Sequence, residues 1–182
     1  MAAENTFLYF AFGSNLLRER LQMTCPSAYK VAIGRIKDYC LGFSSFSGTR
    51  NQWNGGTATI LSSAGVEVWG VVWCISNNEE ECLNIQEGVH KGQYSMVEVA
   101  VELDKSEPTI LHCKSFKMNH FEPSYPSPQY AKVLLLGAER NALPPHYLHT
   151  LQSIKTNGSK APVPIWDKLQ SILRQSNPTT AP

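Results

Sequence analysis

The sequence predicts an α+β fold built around one compact β-sheet, antiparallel or mixed in pairing and either open or closed. Strand-like segments dominate the first two thirds of the 182 residues, with one helix early and one among the strands, and the last third is helical. Strands and helices therefore do not alternate strictly, as they would in a doubly wound α/β protein. We reject that architecture and expect the strands to share one sheet.

The first predicted strand covers residues 7–12, FLYFAF, and ends abruptly in Gly13, Ser14 and Asn15. A helix is predicted over residues 16–22, because Ser14 or Asn15 can act as its N-cap. The chain thus begins with a buried strand that leads directly into a short helix.

The next segment, residues 28–46, is rich in β-branched and aromatic residues and predicts one or two strands. The segment TRNQWNGG has turn composition. Two further strands are predicted at residues 57–63 and 67–76, joined as a hairpin by a turn at Ala64 and Gly65.

A helix is predicted over NNEEECLNIQEG, residues 77–88, with Asn77 or Asn78 as the cap and Gly88 as the stop. Its acidic first turn complements the helix dipole. The segment at residues 94–104 alternates Val and Leu with Glu98 and Glu102, which predicts a half-buried strand. Residues 109–119 are its expected partner, across a turn at residues 104–108.

A proline-rich loop, FEPSYPSPQ, separates these strands from three predicted helices at residues 128–141, 144–155 and 163–175. The last seven residues, SNPTTAP, have the composition of a frayed tail. We therefore expect one domain over residues 1–175 and a flexible tail over residues 176–182.

Composition excludes several classes of function. The chain is 42% hydrophobic and 17% charged, so it can bury a core. Sixteen basic and fifteen acidic side chains leave a net charge of +1, which gives no electrostatic reason to expect a nucleic acid or an anionic membrane as partner. No apolar run approaches the roughly 20 residues of a membrane helix. The first residues, MAAENT, lack signal-peptide character, so a soluble intracellular protein is expected.

The five cysteines are irregularly spaced and form no C-x-x-C pair, which argues against a disulfide framework and a thiolate metal site. We expect most of them to be small buried hydrophobic residues, and a catalytic cysteine stays an open alternative. His146 and His149 can share a helix face, but no third ligand is arranged nearby, so we interpret them as a solvated pair.

The loop at Gly13, Ser14 and Asn15 is the first candidate site. A strand that leads through this loop into a helix points backbone N–H groups at one spot, which favours an anion or a developing oxyanion. Gly13 permits a positive φ and lets a ligand approach the backbone. The alternative interpretation is an ordinary capped turn, and the loop matches no phosphate-binding fingerprint.

Glu87 is the second candidate. It lies at the C-terminal end of a predicted helix, where the dipole disfavours ionisation, and Ile85 and Val89 predict an apolar environment. Both effects raise the pKa of a carboxyl group, as a general acid–base catalyst near neutral pH requires. An exposed glutamate in a last helical turn is the alternative. Tyr125 and Tyr130 either line a pocket or simply pack.

Four segments resemble the γ-glutamylcyclotransferase family in their residues and in their spacing along the chain: FLYFAFGSNL, QEGV, GQY and PSPQY. EVWGVVW and LLLGAERNALPPHY also resemble it, so the resemblance extends over residues 7–150. It implies a small mixed or antiparallel β-barrel with flanking helices. It also implies an enzyme of the cytosol, often a homodimer, that converts the γ-glutamyl group of γ-glutamyl amino acids into 5-oxoproline without cofactor or metal.

The resemblance also implies site residues. It places the catalytic glutamate at Glu87 and two further substrate contacts at Tyr94 and Tyr130. The implied substrate-binding loop consists of Tyr9, Phe10, Ala11, Phe12, Gly13 and Ser14. We add Asn15 and Leu16 as expected substrate-binding residues, because the backbone N–H groups from Phe12 to Leu16 are expected to hold the glutamyl group.

Two residues depart from the family pattern, because Phe12 and Phe116 stand where tyrosines are expected. They keep open a non-catalytic module that binds γ-glutamyl groups or small anions, and a relative specialised for glutathione or γ-glutamyl amines. An interaction role for the helical last third is a weaker alternative. Glu87 argues against mere binding, since binding an ammonium group does not need a carboxyl group with a raised pKa.

Overall fold

A computed structural model describes residues 5–46, 51–107 and 109–176. Five strands and five α-helices make up most of this part of the chain. The strands are β1 (Thr6–Ala11), β2 (Tyr29–Ser44), β3 (Thr57–Ser76), β4 (Tyr94–Leu103) and β5 (Ile110–Met118). The helices are α1 (Arg18–Gln22), α2 (Glu80–Gln86), α3 (Pro128–Arg140), α4 (Pro145–Gln152) and α5 (Pro164–Ser176).

The strands form a closed barrel in the order β1-β3-β2-β4-β5. Four of the neighbouring pairs are antiparallel, and the parallel pairing of β5 with β1, at Tyr9 and Lys114, closes the barrel. Tyr9 also stands opposite Trp73 of β3, so its backbone is held from both sides. The predicted α+β fold with a small mixed barrel and flanking helices is confirmed.

The predicted hairpin at Ala64 and Gly65 is wrong, because β3 is one continuous strand. Both of its halves pair with β2, and the register jumps from Lys37 opposite Glu67 to Tyr39 opposite Ser62. This jump is a bulge, at which four residues of β3, 63–66, stand opposite the single residue Asp38 of β2. At this bulge the Gly65 N–H donates to Asp38 Oδ1 over 2.8 Å, and both residues have positive φ. Turn composition here marks a bulge rather than a chain reversal.

Both predicted side-chain caps are also wrong. A 3₁₀ turn over Ser14–Leu16 precedes α1, which begins at Arg18 with Leu17 at its N-cap position. A second 3₁₀ turn over Asn77–Glu79 precedes α2, again without a side-chain cap. The predicted stop of α2 at Gly88 is confirmed, since Gly88 adopts a left-handed conformation with φ 67°.

Helix α3 packs directly on the turn that follows β1. At Gly137 a Cβ atom would lie 2.6 Å from Leu17 N, so only glycine allows this approach. The Asn141 side-chain amide, just after α3, donates to the Leu16 carbonyl over 2.8 Å. The three predicted C-terminal helices are confirmed, and the predicted tail beyond Ser176 lies outside the described residues.

The cysteines largely follow expectation, because Cys25, Cys74 and Cys113 are buried, Cys40 is half-buried and Cys82 is exposed. Within the described ranges, no three His, Cys, Asp or Glu side chains come together as metal ligands. None of the described helices combines the length and the apolar character needed to cross a membrane.

Candidate active site

A cavity of 520 Å³ opens beside the turn after β1. Its wall combines that turn with the end of α2, the start of β3 and the first turn of α3. Of the eleven predicted site residues, eight line it: Tyr9, Phe12, Gly13, Ser14, Asn15, Glu87, Tyr94 and Tyr130. The structure thus brings Glu87 and the loop into one cavity although they are more than seventy positions apart in sequence.

The remaining three predicted residues, Phe10, Ala11 and Leu16, do not line the cavity. Each is at most 1% exposed and belongs to the hydrophobic core. Successive side chains of β1 point to opposite faces, so Phe10 packs away from the side occupied by Tyr9. The Leu16 N–H bonds to the Gly13 carbonyl over 2.9 Å, which occupies a donor that the sequence assigned to substrate.

Glu87 directly follows α2 and caps it, and its N–H bonds to the Leu83 carbonyl. Its carboxylate accepts two side-chain hydrogen bonds, both at Oε1: one from Asn15 Nδ2 over 3.2 Å and one from Gln86 Nε2 over 3.1 Å. Among the described residues no hydrogen bond reaches Oε2. One oxygen is thus restrained while the other stays available to a ligand.

Burial raises the pKa of the Glu87 carboxyl group, and the Arg20 charge and the two hydrogen bonds oppose this shift. The expected direction is therefore correct, but the expected cause is only partly so. Ile85 is 55% exposed and does not contribute an apolar environment. The side chains that contact the carboxylate are Asn15 of the loop and Gln86 of α2.

Asn15 is the centre of the polar network around Glu87. The side chain is 3% exposed, and its Nδ2 donates to Tyr9 Oη over 3.1 Å as well as to Glu87. Its Oδ1 accepts from Gln86 Nε2 over 3.1 Å. Asn15 was expected to cap a helix or contact substrate; its side chain forms no cap and instead donates to the Glu87 carboxylate.

Arg20 and Gln86 were not among the site residues predicted from the sequence. Arg20 is 4% exposed, and its Nη1 donates to Gln86 Oε1 over 3.1 Å. The Thr24 hydroxyl donates to the same oxygen over 2.6 Å. These contacts fix which way the Gln86 amide points, and hence which atom faces Glu87. The sequence did hold one indication that Arg20 is buried. It follows Leu17 by three positions and Leu16 by four, which places it on the apolar face of the predicted helix.

Two buried tyrosines hold the opposite wall. Tyr130 Oη accepts the Ala58 N–H over 3.0 Å and also interacts with the Ser14 backbone. Tyr94 Oη donates to the Ala58 carbonyl over 2.9 Å. Burial raises the pKa of Tyr130 to about 12 and that of Tyr94 well above its ordinary value, so both are neutral at physiological pH. Tyr130 ties the start of β3 to the loop, and Tyr94 ties it to the start of β4.

Gly13 is favoured by the limited space around it rather than by a positive φ. Its φ is −108°, which corrects the expectation from the sequence. A Cβ atom here would lie 3.1 Å from Tyr130 Oη and 3.2 Å from Ala58 Cβ. The residue therefore lets the loop approach Tyr130 of α3 and the start of β3 closely.

The two phenylalanines that depart from the family pattern both face the cavity. Phe12 is 6% exposed and Phe116 is 4% exposed, and the ring of Phe116 packs edge-on against Tyr9 at 5.9 Å. Trp53, which the sequence did not single out, packs against Tyr130 at 5.1 Å. Tyr125 is 60% exposed and lies outside this cavity.

The arrangement is suited to general acid–base chemistry on a small polar ligand. It offers a carboxyl group with a raised pKa, one restrained oxygen, a buried cation nearby and neutral hydroxyl groups. Pockets of several hundred cubic ångströms with a few convergent polar groups are typical small-molecule sites.

Comparison with known proteins identifies relatives of this chain. Residues 67–151 match the AIG2-like family. The chain is 40% identical to the mouse gamma-glutamylcyclotransferase over 171 residues, which cover 93% of this chain and 89% of the mouse protein. It is 39% identical to the human gamma-glutamylcyclotransferase over 178 residues, which cover 97% and 93%.

A solved gamma-glutamyl cyclotransferase structure superposes with a TM-score of 0.87 at 39% identity, over 93% of this chain and 99% of that one. A yeast gamma-glutamyl cyclotransferase specific to glutathione superposes with a TM-score of 0.51 at 15% identity, which shows a shared fold. On the strength of the near full-length similarity to the mouse and human proteins, the chain belongs to the gamma-glutamylcyclotransferase family.

Proposed function

We propose that this protein is a γ-glutamylcyclotransferase that acts on γ-glutamyl amino acids, releasing the free amino acid and 5-oxoproline. One observation carries the proposal: a desolvated carboxyl group, Glu87, lies in the cavity with one oxygen held by Asn15 and Gln86. The family membership supplies the reaction for which such a group is suited. Cyclisation of γ-glutamyl groups would give the protein a place in glutathione metabolism.

The chemistry follows from the needs of the substrate. The α-amine is mostly ammonium at neutral pH and cannot attack while protonated, so the Glu87 carboxylate takes its proton. The freed amine attacks the γ-carbonyl carbon and forms a C–N bond within a five-membered ring. Protonated Glu87 then returns the proton to the nitrogen of the leaving amino acid, and the original C–N bond breaks. The ring nitrogen still carries a second proton, which passes by way of the Glu87 carboxylate to the released amine, so the products are the neutral lactam and an amino acid with an ammonium group. Atoms and protons then balance without any cofactor or metal.

The raised pKa of Glu87 favours both proton transfers. A carboxyl group of ordinary pKa is a weak base towards an ammonium group, and a higher pKa brings the two groups closer in proton affinity. One carboxylate can serve both steps because the attacking and leaving nitrogens are bonded to the same carbon in the intermediate. The restrained Oε1 keeps the carboxylate aligned, and fixing amine against carbonyl creates a near-attack geometry.

The substrate contacts are part of the proposal. Tyr9, Phe12, Gly13, Ser14 and Asn15 on one wall, with Tyr94 and Tyr130 on the other, surround the position of the glutamyl group. The backbone at Gly13 and Ser14 would hold the γ-carbonyl oxygen, the α-carboxylate or both. Phe10, Ala11 and Leu16 would act only by supporting this loop from the core.

We further infer a cytosolic protein with one domain over residues 1–175, and a homodimer is the expected assembly. The domain boundary is supported by α5, which packs against α1 and buries Leu169 in the common core. Fractionation and sedimentation of the full chain would test the location and the assembly.

Turnover is tested by incubating purified protein with γ-glutamyl dipeptides, a γ-glutamyl amine and glutathione, and measuring 5-oxoproline. Because the α-amine is the nucleophile, we expect turnover of γ-glutamyl dipeptides and none of their N-acetylated or α-linked counterparts. Binding without 5-oxoproline would favour the non-catalytic module. A preference for glutathione or the amine would favour the specialised relative, and release of amino acid from the acetylated compound would indicate hydrolysis.

A further inference from the structure

Lys91 lies on the cavity wall four positions after Glu87, and a compact turn connects the two. The Lys91 and Gln93 N–H groups both bond to the Gly88 carbonyl, over 3.0 and 3.1 Å. Gly88 and Gly92 take the left-handed conformations that this turn needs, with φ of 67° and 68°. The backbone of Lys91 is therefore held in a defined position relative to the catalytic carboxylate.

The charged side chains of the cavity differ in whether protein partners already engage them. Among the described lining residues they are Arg20, Glu87 and Lys91, two cations and one anion. Arg20 is 4% exposed and donates to Gln86, which itself donates to Glu87, so this cation belongs to the carboxylate network. Lys91 is exposed, and in the part of the chain that the structure describes its ammonium has no hydrogen-bond or ion-pair partner.

The proposed substrate has complementary charges. A γ-glutamyl amino acid carries one ammonium and two carboxylates at neutral pH. The ammonium and the first carboxylate share one carbon, so both must lie at the Glu87 end of the cavity. The second carboxylate belongs to the leaving amino acid, at the other end of the molecule, and it needs a cation that is not already engaged.

We propose that Lys91 binds the carboxylate of the leaving amino acid and thereby makes the enzyme prefer γ-glutamyl amino acids to neutral γ-glutamyl amines and amides. This inference rests on the proposed function. Its exposed position places Lys91 where the leaving group can depart to solvent. Gln93, on the same turn and also on the cavity wall, supplies a neutral donor beside it.

The expected contribution of Lys91 to carboxylate recognition is limited by the exposure of its side chain to water. Ion pairs that stay accessible to water contribute little, so losing the Lys91 charge should weaken recognition of the carboxylate by about threefold to fivefold. Charge reversal adds repulsion and should cost about tenfold or more. Salt should reduce both effects, because mobile ions screen exposed charges.

The test compares γ-glutamyl-alanine with its C-terminal amide, two substrates of nearly equal size that differ in one charge. We expect the parent to prefer the acid. Lys91→Met should lower kcat/KM for the acid by about threefold to fivefold, mainly through KM, and leave the amide unchanged. Lys91→Arg should retain the preference and Lys91→Glu should reverse it. Lys168→Met, an exposed lysine of α5 outside the cavity, is the matched control.

Binding measured in the Glu87→Gln background separates this inference from the proposed function, because it does not depend on turnover. Calorimetry should show tighter binding of the acid than of the amide, and the difference should disappear when Lys91→Met is added. Absence of 5-oxoproline from the parent would overturn the proposed function alone. Equal binding of acid and amide, or equal losses for both in Lys91→Met, would overturn the role of Lys91.

Discussion

Two concave regions of almost equal volume lie on either side of the Tyr130 ring, and their chemistry differs sharply. The active-site cavity measures 520 Å³ and contains the hydrogen-bonded network of Asn15, Gln86 and Glu87. The second region, a groove of 540 Å³, is formed by β2, the proline-rich loop and the segment after α4. Phe43 of the groove packs perpendicular to Tyr130 of the cavity, with ring centroids 6.4 Å apart.

The groove is lined mainly by apolar side chains, such as Leu41, Phe43 and Ile154, and Lys155 is its charged residue among those described. Its described lining therefore offers space and an apolar surface but no carboxyl group. The cavity has a carboxyl group whose pKa is raised by burial, and it also has the partners that hold that group. Volume alone does not distinguish an active site, whereas a desolvated and restrained titratable group does.

The largest effect should come from Glu87→Gln, which removes the proton acceptor and nearly preserves shape. General acid–base catalysis contributes roughly 10²–10⁴-fold to the rate. Because one residue serves both proton transfers here, turnover should fall by a factor at or beyond the upper end of that range. Glu122→Gln, the same change at an exposed position beside the groove, is the matched control and should leave turnover unchanged. More than about a tenth of parental activity in Glu87→Gln would exclude Glu87 as the base.

The same variant should be at least as stable as the parent near neutral pH. Because burial raises the pKa of Glu87, the protonated form favours the folded state. Its contribution is fully present below the ordinary glutamate pKa and is lost as pH rises through the raised folded-state pKa. Thermal unfolding across this range should show the advantage of Glu87→Gln growing with pH, and an advantage that shrinks would contradict the shift.

Asn15→Ala should lower kcat by about ten- to hundredfold, because the carboxylate loses a partner that aligns it. Unfolding should become easier by roughly 1–3 kcal/mol, since buried polar atoms are left unpaired. Asn141→Ala is the matched control: Asn141 is 7% exposed and bonds to the same loop, but does not contact Glu87. Equal loss of kcat in the two variants would mean that Asn15 acts only through stability.

Arg20→Met should change the pH dependence of turnover more than its maximum. The Arg20 charge lowers the pKa of Glu87, so its removal should raise that pKa further. The acidic limb of the pH–rate profile, where Glu87 becomes ionised, should therefore move to higher pH. Arg18→Met, an exposed position on the same helix, should leave the limb in place. A shift to lower pH would contradict the assigned electrostatics.

The smallest effect should come from Phe12→Tyr, which restores the residue expected from the family. The ring faces the cavity, so the added hydroxyl can reach space that is open to ligand. We expect turnover to stay within about threefold of the parent or to rise, and the unfolding temperature to change little, since the added volume is small. A large loss of stability would show that the hydroxyl is forced into the core beside Phe10.

Several features of the fold and the site were predictable because they depend on short-range patterns. Alternation at residues 94–104 identified β4, and Gly88 identified the end of α2, where Glu87 follows. The continuity of β3 was not predictable, because Ala64 and Gly65 have turn composition and only the pairing of both halves with β2 shows a bulge. The predicted cap at Asn15 was wrong for a similar reason, since the Asn15 side chain donates to Tyr9 and Glu87 instead.

The sequence by itself determined which segments are strands and helices, and it placed Glu87 at a helix end and glycine in the loop after β1. Its local periodicity and stop residues carry that information. Only the tertiary structure decided that β5 closes the barrel against β1, and that Arg20 bonds to Gln86 across 66 positions. These contacts depend on side-chain packing between distant segments. The helix end predicted the direction of the Glu87 pKa shift, but the orientation of its carboxylate and the burial that is the largest cause of the shift follow from that packing.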